Sequence, residues 1–192
     1  MKSISIIIPA FNEEGNLECA VKDVISAILA ANVENYEILI FNDFSADKTG
    51  EVADRLATGN KHIRVIHNPK NMGLGYNYRK GIELAKNEYV VMVPGDNEVE
   101  GKSIGNLFSQ VGKADLIISY AANSEIRPRI RQIISKAFVK LMNFLFGLKL
   151  RYYNGICLIR KDLLQKVEMT TFGFAYMAEI IIYLVKRQSK SH

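Results

Sequence analysis

The sequence predicts an α/β fold in which a mostly parallel sheet is covered by helices on both faces. Short apolar runs alternate with amphipathic helical patterns along the first 120 residues. The runs are apolar at successive positions, as in Ile6-Ile7-Ile8, rather than at every second position. A strand that is apolar on both faces is buried on both sides, which is typical of a parallel sheet between two layers of helices.

The elements follow from this alternation in chain order. The predicted strands are Ser3–Ile8, Tyr36–Phe41, Ile63–Ile66, Tyr89–Val93 and Leu116–Ser119. A first helix is predicted from apolar side chains at helical spacing between Leu17 and Ile28. The next helices are Asp47–Ala57, Leu74–Lys86 and Lys102–Val111. We expect Ser45 or Asp47 to cap the helix that follows it, because short polar side chains favour that position.

The second half of the chain is less regular. A helix is predicted over Ile130–Gly147, a loop and strand over Tyr152–Ile159, and a last helix over Phe172–Lys186. One face of the first of these helices carries Ile133, Ile134, Ala137, Phe138, Leu141, Phe144 and Leu145, and its basic side chains are Arg129, Arg131, Lys136 and Lys140. Two interpretations remain open: a helix lying on a membrane surface, or a core helix that buries the same apolar face.

Composition limits the classes of partner. The chain has 192 residues, enough for one α/β domain, with 25 Lys and Arg against 20 Asp and Glu and a net charge of +5. This excess suits an anionic ligand or an anionic membrane surface. The sequence has no basic block interleaved with aromatic residues, so we expect no nucleic-acid partner.

The cysteines and the N-terminus predict a cytoplasmic protein. Cys19 and Cys157 lie far apart, in a helical and a strand pattern, and are predicted to be small buried side chains in a reducing compartment. The chain begins with an apolar strand of six residues, Ser3–Ile8, which is too short for a signal peptide. No uncharged apolar stretch approaches the length of about 18 residues that a membrane span needs.

Ligands of parallel sheets bind beyond the carboxyl ends of the strands, so the loops 9–16, 42–49, 67–75 and 94–101 are the candidate site. Asp96, Glu98 and Glu100 follow the fourth strand at alternate positions. Carboxylates together with substrate phosphates are what a hard divalent cation prefers. The same three residues would also suit a solvated acidic turn.

Two other loops carry weaker signals. The short polar side chains of residues 42–49 would suit the edge of a base or ribose, or would cap the next helix. Asn71, Gly73 and Gly75 precede a helix, where glycine allows the backbone to approach an anion. Their spacing and their place after the third strand differ from the dinucleotide fingerprint.

Together, four segments resemble the motifs of family-2 glycosyltransferases with the GT-A fold. Pro9-Ala10-Phe11-Asn12-Glu13 is similar to the family's P-x-[YF]-N-E opening, and Asn42 to Thr49 is similar to its D-D-x-S-x-D-x-T segment. Asn71-x-Gly73-x-Gly75 with Gly81 and Ala85 resembles the helix motif, and Asp96-Asn97-Glu98 stands at the place of the metal-binding D-x-D. The segments occur in the family order within residues 1–100.

The resemblance implies an inverting, metal-dependent hexosyltransferase that uses a GDP- or UDP-sugar. Mg²⁺ or Mn²⁺ would be bound by Asp96, Glu98 and Glu100, with Asp96 and Glu98 also acting in catalysis. The donor would be held by Pro9, Phe11, Glu13, Asp43, Ser45, Asn71 and Gly73. Residues 1–192 would form a single catalytic domain, with a nucleotide-sugar-binding half over 1–120 and an acceptor- and membrane-facing half over 121–192.

Within the family, the sequence looks most like dolichyl-phosphate mannose synthase and the bacterial polyprenyl-phosphate transferases. Their metal motif D-x-D-x-Q corresponds to Asp96, Glu98 and Glu100, and their phosphate-handling basic residue and serine correspond to Arg131 and Ser135. The implied acceptor is a polyprenyl phosphate, and the implied location is the cytoplasmic face of the membrane, with peripheral contact.

The sequence also departs from the family pattern. Asn42 and Glu98 each replace an aspartate, and Tyr152-Tyr153-Asn154-Gly155 stands where D-x-x-S-G is usual. Relatives usually continue beyond the position of His192, so a truncated chain or a short variant is expected.

Two other functions stay open. A soluble transferase acting on a saccharide hydroxyl would need a general base, for which Glu179 is the candidate unless its carboxylate is structural. The second open function is that of a non-catalytic domain that binds a nucleotide sugar.

Overall fold

A computed structural model describes residues 2–120, 129–171, 173 and 175–188, with the backbone alone at Arg129, Arg131 and Gln188. The strands are β1 (Ser3–Ala10), β2 (Asn35–Asn42), β3 (Ile63–His67), β4 (Tyr89–Met92), β5 (Leu116–Ile118) and β6 (Cys157–Arg160). The helices are α1 (Leu17–Ala30), α2 (Thr49–Gly59), α3 (Leu74–Leu84), α4 (Gly101–Phe108), α5 (Arg129–Phe146), α6 (Lys161–Leu164) and α7 (Tyr176–Gln188).

The strands form one mostly parallel sheet, as predicted. Their order is β3-β2-β1-β4-β6-β5, and β3, β2, β1 and β4 are parallel neighbours. β6 is antiparallel to both β4 and β5. The predicted fifth strand, β5, therefore has the direction of β4 but is separated from it by β6, a strand that the sequence indicated only as part of Tyr152–Ile159.

Helices cover both faces of the sheet, because successive side chains of each central strand point to opposite sides. Ile6 and Ile8 of β1 belong to a core shared with α1, α2 and α4. Ile7 belongs to a second core shared with α3 and α7, against which α5 also packs. Gly81 permits this packing, since a Cβ there would lie 2.3 Å from the Ile7 side chain.

Helix α5 corrects one of the two interpretations of its apolar face. Most of that face is exposed, with Phe144 at 85%, so the core interpretation is wrong for these residues. Phe138 is the exception on this face, because it packs against the second core together with the neighbouring Val139, Met142 and Phe146. Helical periodicity shows which side chains share a face, but not which face the rest of the chain covers.

Cys19 is a second correction. Cys157 is fully buried in β6, as predicted, whereas Cys19 is exposed on α1. The buried side of α1 is formed by Leu17, Ala20, Val21, Val24, Ala27 and Ile28, and Cys19 lies outside that stripe.

Within the described part of the chain, no helix is both long and apolar enough to cross a membrane.

Candidate active site

A cavity of about 580 Å³ opens beyond the carboxyl ends of β1, β2 and β4. Its lining includes predicted site residues from each of the four loops: the donor-binding residues Pro9, Phe11, Glu13, Asp43, Asn71 and Gly73, and the metal ligand Asp96. The strand register explains why they meet. Ala10 is level with Asn42, and the backbone after β4 continues beside β1 through a hydrogen bond from Gly95 N to Pro9 O (3.0 Å).

The first two loops are connected by hydrogen bonds between backbone and side chains. Asn12 N donates to Ser45 Oγ (3.0 Å), and Ala46 N donates to Asn12 Oδ1 (2.8 Å). Glu13 N donates to Thr49 Oγ1 (2.7 Å). Ser45, predicted to bind the donor, is therefore engaged in holding the two loops together. The N-cap of α2 is Lys48, whose side chain makes no capping hydrogen bond, so neither Ser45 nor Asp47 occupies the predicted cap position; Asp47 Oδ1 instead accepts from Thr49 N (3.0 Å), the first residue of the helix.

Three of the loops contain a non-glycine residue with a positive φ. The values are 58° at Asn12, 64° at Phe44 and 57° at Asn97. Asparagine tolerates this left-handed conformation, but phenylalanine does so only when its surroundings enforce it. The side chains of Phe11 and Phe44 are both about half exposed, and Phe11 lines the cavity. An exposed aromatic ring at a cavity mouth suits stacking against a flat ligand group.

Asp43 organises the loop that precedes α3. Its buried carboxylate accepts hydrogen bonds from Asn68 Nδ2 (2.7 Å) and Met72 N (2.8 Å) at Oδ1, and from Gly73 N (2.9 Å) at Oδ2. Gly73 has a φ of 83°, which a glycine adopts without strain. The carboxylate thus shapes the cavity as well as lining it.

The hydrogen-bonded chain continues to Asn77, which the sequence analysis did not single out. Asn68 Nδ2 also donates to Asn77 Oδ1 (2.6 Å). Asn77 is fully buried on α3 and lines the cavity, and its Nδ2 has no hydrogen-bond partner among the residues that the structure describes. The signal available in the sequence was a polar residue on the inward face of a helix, next to Tyr78.

The predicted metal ligands do not all lie in the cavity. Asp96 is half-buried in its lining, whereas Glu98 and Glu100 are exposed and outside that lining. Glu98 N donates to Asp96 Oδ1 (3.1 Å), and Glu100 precedes the first turn of α4. Across residues 2–120 and the described parts beyond, no three acidic, His or Cys side chains converge on a metal-sized site.

Glu179, the candidate general base, lies in a different place. It lines a second cavity of about 680 Å³ between α5 and α7. Thr170 N and Thr171 N donate to its two oxygens (both 3.0 Å), and Thr170 Oγ1 donates to Oε1 (2.7 Å). Partial burial raises the pKa of Glu179, but these hydrogen bonds outweigh it and hold the pKa below its ordinary value. This geometry favours the structural interpretation of its carboxylate.

A third cavity of about 310 Å³ adjoins the first and contains Ser135, which was predicted to handle phosphate. Asn154 lines both the first and the third cavity. Arg131 lies one helical turn before Ser135 on α5. Asn154 therefore lies between the cavity of the donor motifs and the cavity of Ser135, and it is one of the residues that depart from the family pattern.

Asn42, which also departs from the family pattern, is not among the residues that line the cavity. Asn42 Nδ2 lies 3.0 Å from His67 Nδ1, and His67 Nε2 lies 3.1 Å from Asp54 Oδ1. Because an amide nitrogen can only donate, His67 Nδ1 accepts and its Nε2–H donates to Asp54. Asn42 thus faces the β2–β3 edge of the sheet.

Comparison with known proteins agrees with these observations. Residues 5–168 match the model of "Glycosyl transferase family 2". The chain belongs to this family. A relative over most of its length is the dolichol-phosphate mannosyltransferase of Pyrococcus furiosus, 28% identical over 188 residues, which are 93% of this chain and 52% of the relative. Glycosyltransferase GlyG of Streptococcus pneumoniae is 32% identical over 113 residues, 58% of this chain and 36% of the relative.

Solved structures confirm the GT-A fold. Glucosyl-3-phosphoglycerate synthase of Mycobacterium tuberculosis, crystallised with Mn²⁺, UDP-glucose and phosphoglyceric acid, superimposes with a TM-score of 0.71 at 20% identity. The match covers 97% of this chain and 66% of that one. The chain thus spans between about a third and two thirds of the length of these relatives.

Proposed function

We propose that this family-2 chain transfers a hexose, with inversion, from a nucleoside-diphosphate sugar to a polyprenyl phosphate at the cytoplasmic face of a membrane. The observation that carries the proposal is the wall shared by two cavities. The first cavity collects the four loops of the donor motifs, and the adjoining one holds Ser135, with Asn154 between them. A single domain over residues 1–192 would then contain both substrates.

The donor site has parts for each portion of a nucleotide sugar. Phe11 offers a ring for the base, and Asp43 and Glu13 offer acceptors for the nucleoside. Asp96 gives the site a carboxylate oxygen, which fits Mg²⁺ or Mn²⁺ because these ions combine one or two carboxylates with substrate phosphates. When bound, such an ion would offset the charge that develops on the leaving diphosphate. Glu98 and Glu100 would contribute only through the mobility of exposed side chains or through water.

The acceptor assignment follows from the place of Glu179 and from the chemistry of phosphates. A phosphate monoester has a second pKa of about 6, so near neutral pH it is a nucleophile without a general base. Glu179 is bound by Thr170 and Thr171 in another cavity. A phosphate acceptor is compatible with this position, because it needs no general base next to the donor. The mannosyltransferase of Pyrococcus furiosus, which aligns with 93% of this chain, is named for a dolichol-phosphate acceptor.

Transfer assays with matched acceptors test this proposal. UDP-glucose and GDP-mannose are offered with a short polyprenyl phosphate, with the corresponding polyprenol, or with free saccharides, each with and without Mn²⁺. We expect product only with the phosphate and only with metal. Product on a saccharide would instead establish the hydroxyl-acceptor function, and nucleotide binding without any turnover would establish a non-catalytic binding domain.

Asp96 is the variant that tests the metal. Asp96→Asn keeps the shape of the side chain but removes its charge, so we expect Mn²⁺-dependent donor binding to fall by more than tenfold with an unchanged melting temperature. Glu98→Gln, at an exposed predicted ligand, and Glu168→Gln, an exposed carboxylate on the segment before α7, are the comparisons. Unchanged metal dependence in Asp96→Asn would remove the metal assignment, whereas a loss in Glu98→Gln would restore Glu98 as a ligand.

The membrane part of the proposal depends on α5. The helix has an exposed apolar face and no acidic residue along its 18 positions. A basic residue near an anionic surface contributes about 1 kcal/mol, and apolar burial adds to this independently of salt. We expect sedimentation with phosphatidylserine vesicles, weakened by salt, and weakened at every salt concentration by Leu141→Ser with Phe144→Ser. Leu29→Ser, at an exposed residue of α1, is the matched control. A wild-type chain that ignores vesicles at low salt would contradict membrane contact.

A further inference from the structure

One side chain of α5 fastens the segment that follows this helix back onto it. Asn143 Nδ2 donates to Leu150 O (2.9 Å), and Asn143 Oδ1 accepts from Leu150 N (3.0 Å) and from the Tyr153 hydroxyl (2.8 Å). Because hydrogen bonds weaken steeply when they are stretched or bent, an amide bound to both backbone groups of Leu150 restrains that residue strongly. Asn143 therefore holds the chain after α5 at two points, Leu150 and Tyr153.

Tyr153 is the second of these points, and the protein also packs around its ring. The side chain is buried, and its ring meets Phe138 edge to face, with centroids 6.2 Å apart and an angle of 83°. This is a favourable arrangement for two aromatic rings. The hydroxyl of a buried tyrosine usually has a hydrogen-bond partner, and here that partner is Asn143. The ring and the hydroxyl thus fix the residue immediately before Asn154.

The sheet fixes the residues immediately after Asn154. Gly155 lies against the chain that leaves β5, where a Cβ would overlap with Ser119 O. Ser119 N also donates to Ile156 O (3.2 Å), which continues the pairing of β5 with β6. The backbone of Asn154 is therefore restrained on both sides, by α5 before it and by the sheet after it.

The side chain of Asn154 projects from this restrained backbone into the region where two cavities meet. It is exposed, and it lines the cavity of the donor motifs and the cavity of Ser135. An asparagine amide has two N–H groups, and phosphate oxygens accept charge-assisted hydrogen bonds from such donors. The amide is thus suited to a phosphate bound beside Ser135.

We propose that Asn143 and Tyr153 are positioning residues that hold Asn154 where its amide donates to the phosphate of the acceptor. This inference rests on the proposed function, which supplies the acceptor phosphate. Asn154 is the residue that contacts the substrate, whereas Asn143 and Tyr153 act through it. The Tyr153 hydroxyl is the part of this arrangement that can be removed while the ring packing is kept.

The test compares Tyr153→Phe, Asn154→Ala and the double variant with the wild type. Transfer to a short polyprenyl phosphate is measured with UDP-glucose or GDP-mannose, and melting temperatures are measured in parallel. We expect the KM for the acceptor to rise about tenfold in Asn154→Ala, corresponding to one hydrogen bond to a charged group, and several-fold in Tyr153→Phe. Tyr183→Phe is the matched control, because it also removes a hydroxyl that is hydrogen-bonded, here to Arg187, and it should leave this KM unchanged.

The double variant separates positioning from a structural role. If the Tyr153 hydroxyl acts through Asn154, its loss should add nothing to the acceptor KM of Asn154→Ala, although it lowers the melting temperature in both backgrounds. An equal rise of the acceptor KM in both backgrounds, or a rise in neither, would overturn the inference. Asn143→Ala should show the same dependence on Asn154. Tyr153→Phe keeps both Leu150 hydrogen bonds, so it decides the question alone if Asn143→Ala fails to fold.

The wild type distinguishes failure of this inference from failure of the proposed function. If the wild type transfers sugar to the polyprenyl phosphate and Asn154→Ala keeps the same acceptor KM, the inference is wrong while the proposed function stands. If the wild type gives no product with this acceptor, the proposed function fails, and the inference fails with it.

Discussion

Two buried polar clusters lie at opposite ends of the central strands, and each is organised by a carboxylate. At the amino ends, Glu37 Oε1 accepts hydrogen bonds from Ser5 Oγ (2.7 Å) and Lys86 N, and Glu37 Oε2 lies 3.5 Å from Arg64 Nη1. At the carboxyl ends, Asp43 binds two backbone N–H groups and Asn68. The first cluster ends on a cation of the same chain. The second ends on Asn77, a buried residue of the cavity lining whose Nδ2 has no hydrogen-bond partner among the described residues.

The difference teaches how to separate structural polar groups from binding groups in a family member. Both clusters are buried, and both connect segments distant in sequence. What distinguishes them is that Glu37 Oε2 lies within ion-pair distance of Arg64 Nη1, although neither atom makes a hydrogen bond, whereas Asn77 Nδ2 has no charged or polar partner among the described residues. A buried polar group without a hydrogen-bond partner calls for an explanation, and a bound water or ligand is one of the explanations.

The largest expected effect is on stability at the amino-end cluster. Glu37→Ala leaves Arg64, Ser5 and the Lys86 amide without their acceptor, so we expect the free energy of unfolding to fall by about 3 kcal/mol. UDP or GDP affinity of the folded protein should not change, because the cluster lies at the far end of the sheet. Urea unfolding and calorimetry measure the two quantities, with the exposed Glu34→Ala as control. A tenfold loss of nucleotide affinity in Glu37→Ala would contradict the proposal that the amino-end cluster has no role in binding.

Asp43 should affect both quantities. Asp43→Ala removes the acceptor of three hydrogen bonds and releases the loop before α3, so we expect about 2 kcal/mol of destabilisation. Nucleotide affinity should also fall by tenfold or more, because the loop and the carboxylate both line the cavity. The same two measurements apply. If Asp43→Ala loses stability but keeps its nucleotide affinity, the role of Asp43 is purely structural, as we expect for Glu37.

The smallest effect belongs to Glu179, in the second cavity. Glu179→Gln replaces an oxygen that accepts from Thr171 or Thr170, so we expect about 1 kcal/mol of destabilisation at pH 7. The folded-state pKa of Glu179 is lowered from its ordinary value, so its stabilisation is present above the ordinary pKa of a glutamate and is lost as the pH falls through the lowered value. The melting temperatures of wild type and variant should therefore converge in acid. Glu168→Gln is the control.

A different result would revive the catalytic interpretation of Glu179. If Glu179→Gln keeps the wild-type melting temperature but loses all transfer, the carboxylate acts on the acceptor rather than on the Thr170–Thr171 segment. Polyprenyl phosphate would then no longer be favoured over a saccharide hydroxyl.

The loops of the site could be predicted because the signal is local. Apolar runs mark where β1, β2 and β4 end, and the carboxyl ends of these strands meet at one edge of the sheet. The sequence alone therefore predicts that Pro9, Asp43 and Asp96 lie at the site. Asn77 could not be found in this way. Its role depends on Asn68 and Asp43, which periodicity cannot bring together.

Exposure was the other limit of sequence reasoning. The alternating carboxylates after β4 look equivalent in sequence, yet Asp96 lines the cavity while Glu98 and Glu100 face outward. The apolar pattern of α5 fits a buried helix and a surface helix equally well. In both cases the answer depends on which neighbouring segment covers the side chain, and a pattern along one element does not contain that information.

The position of Asn154 has a consequence for how the two substrates would bind. Asn154 lines both cavities. If a ligand in one cavity reorients this side chain, the surroundings of the other cavity change with it. Thermodynamic linkage makes this cooperativity mutual: the factor by which a donor alters acceptor affinity equals the factor by which the acceptor alters donor affinity. The sign and size of that coupling would be set by an asparagine in a position where the family usually has other residues.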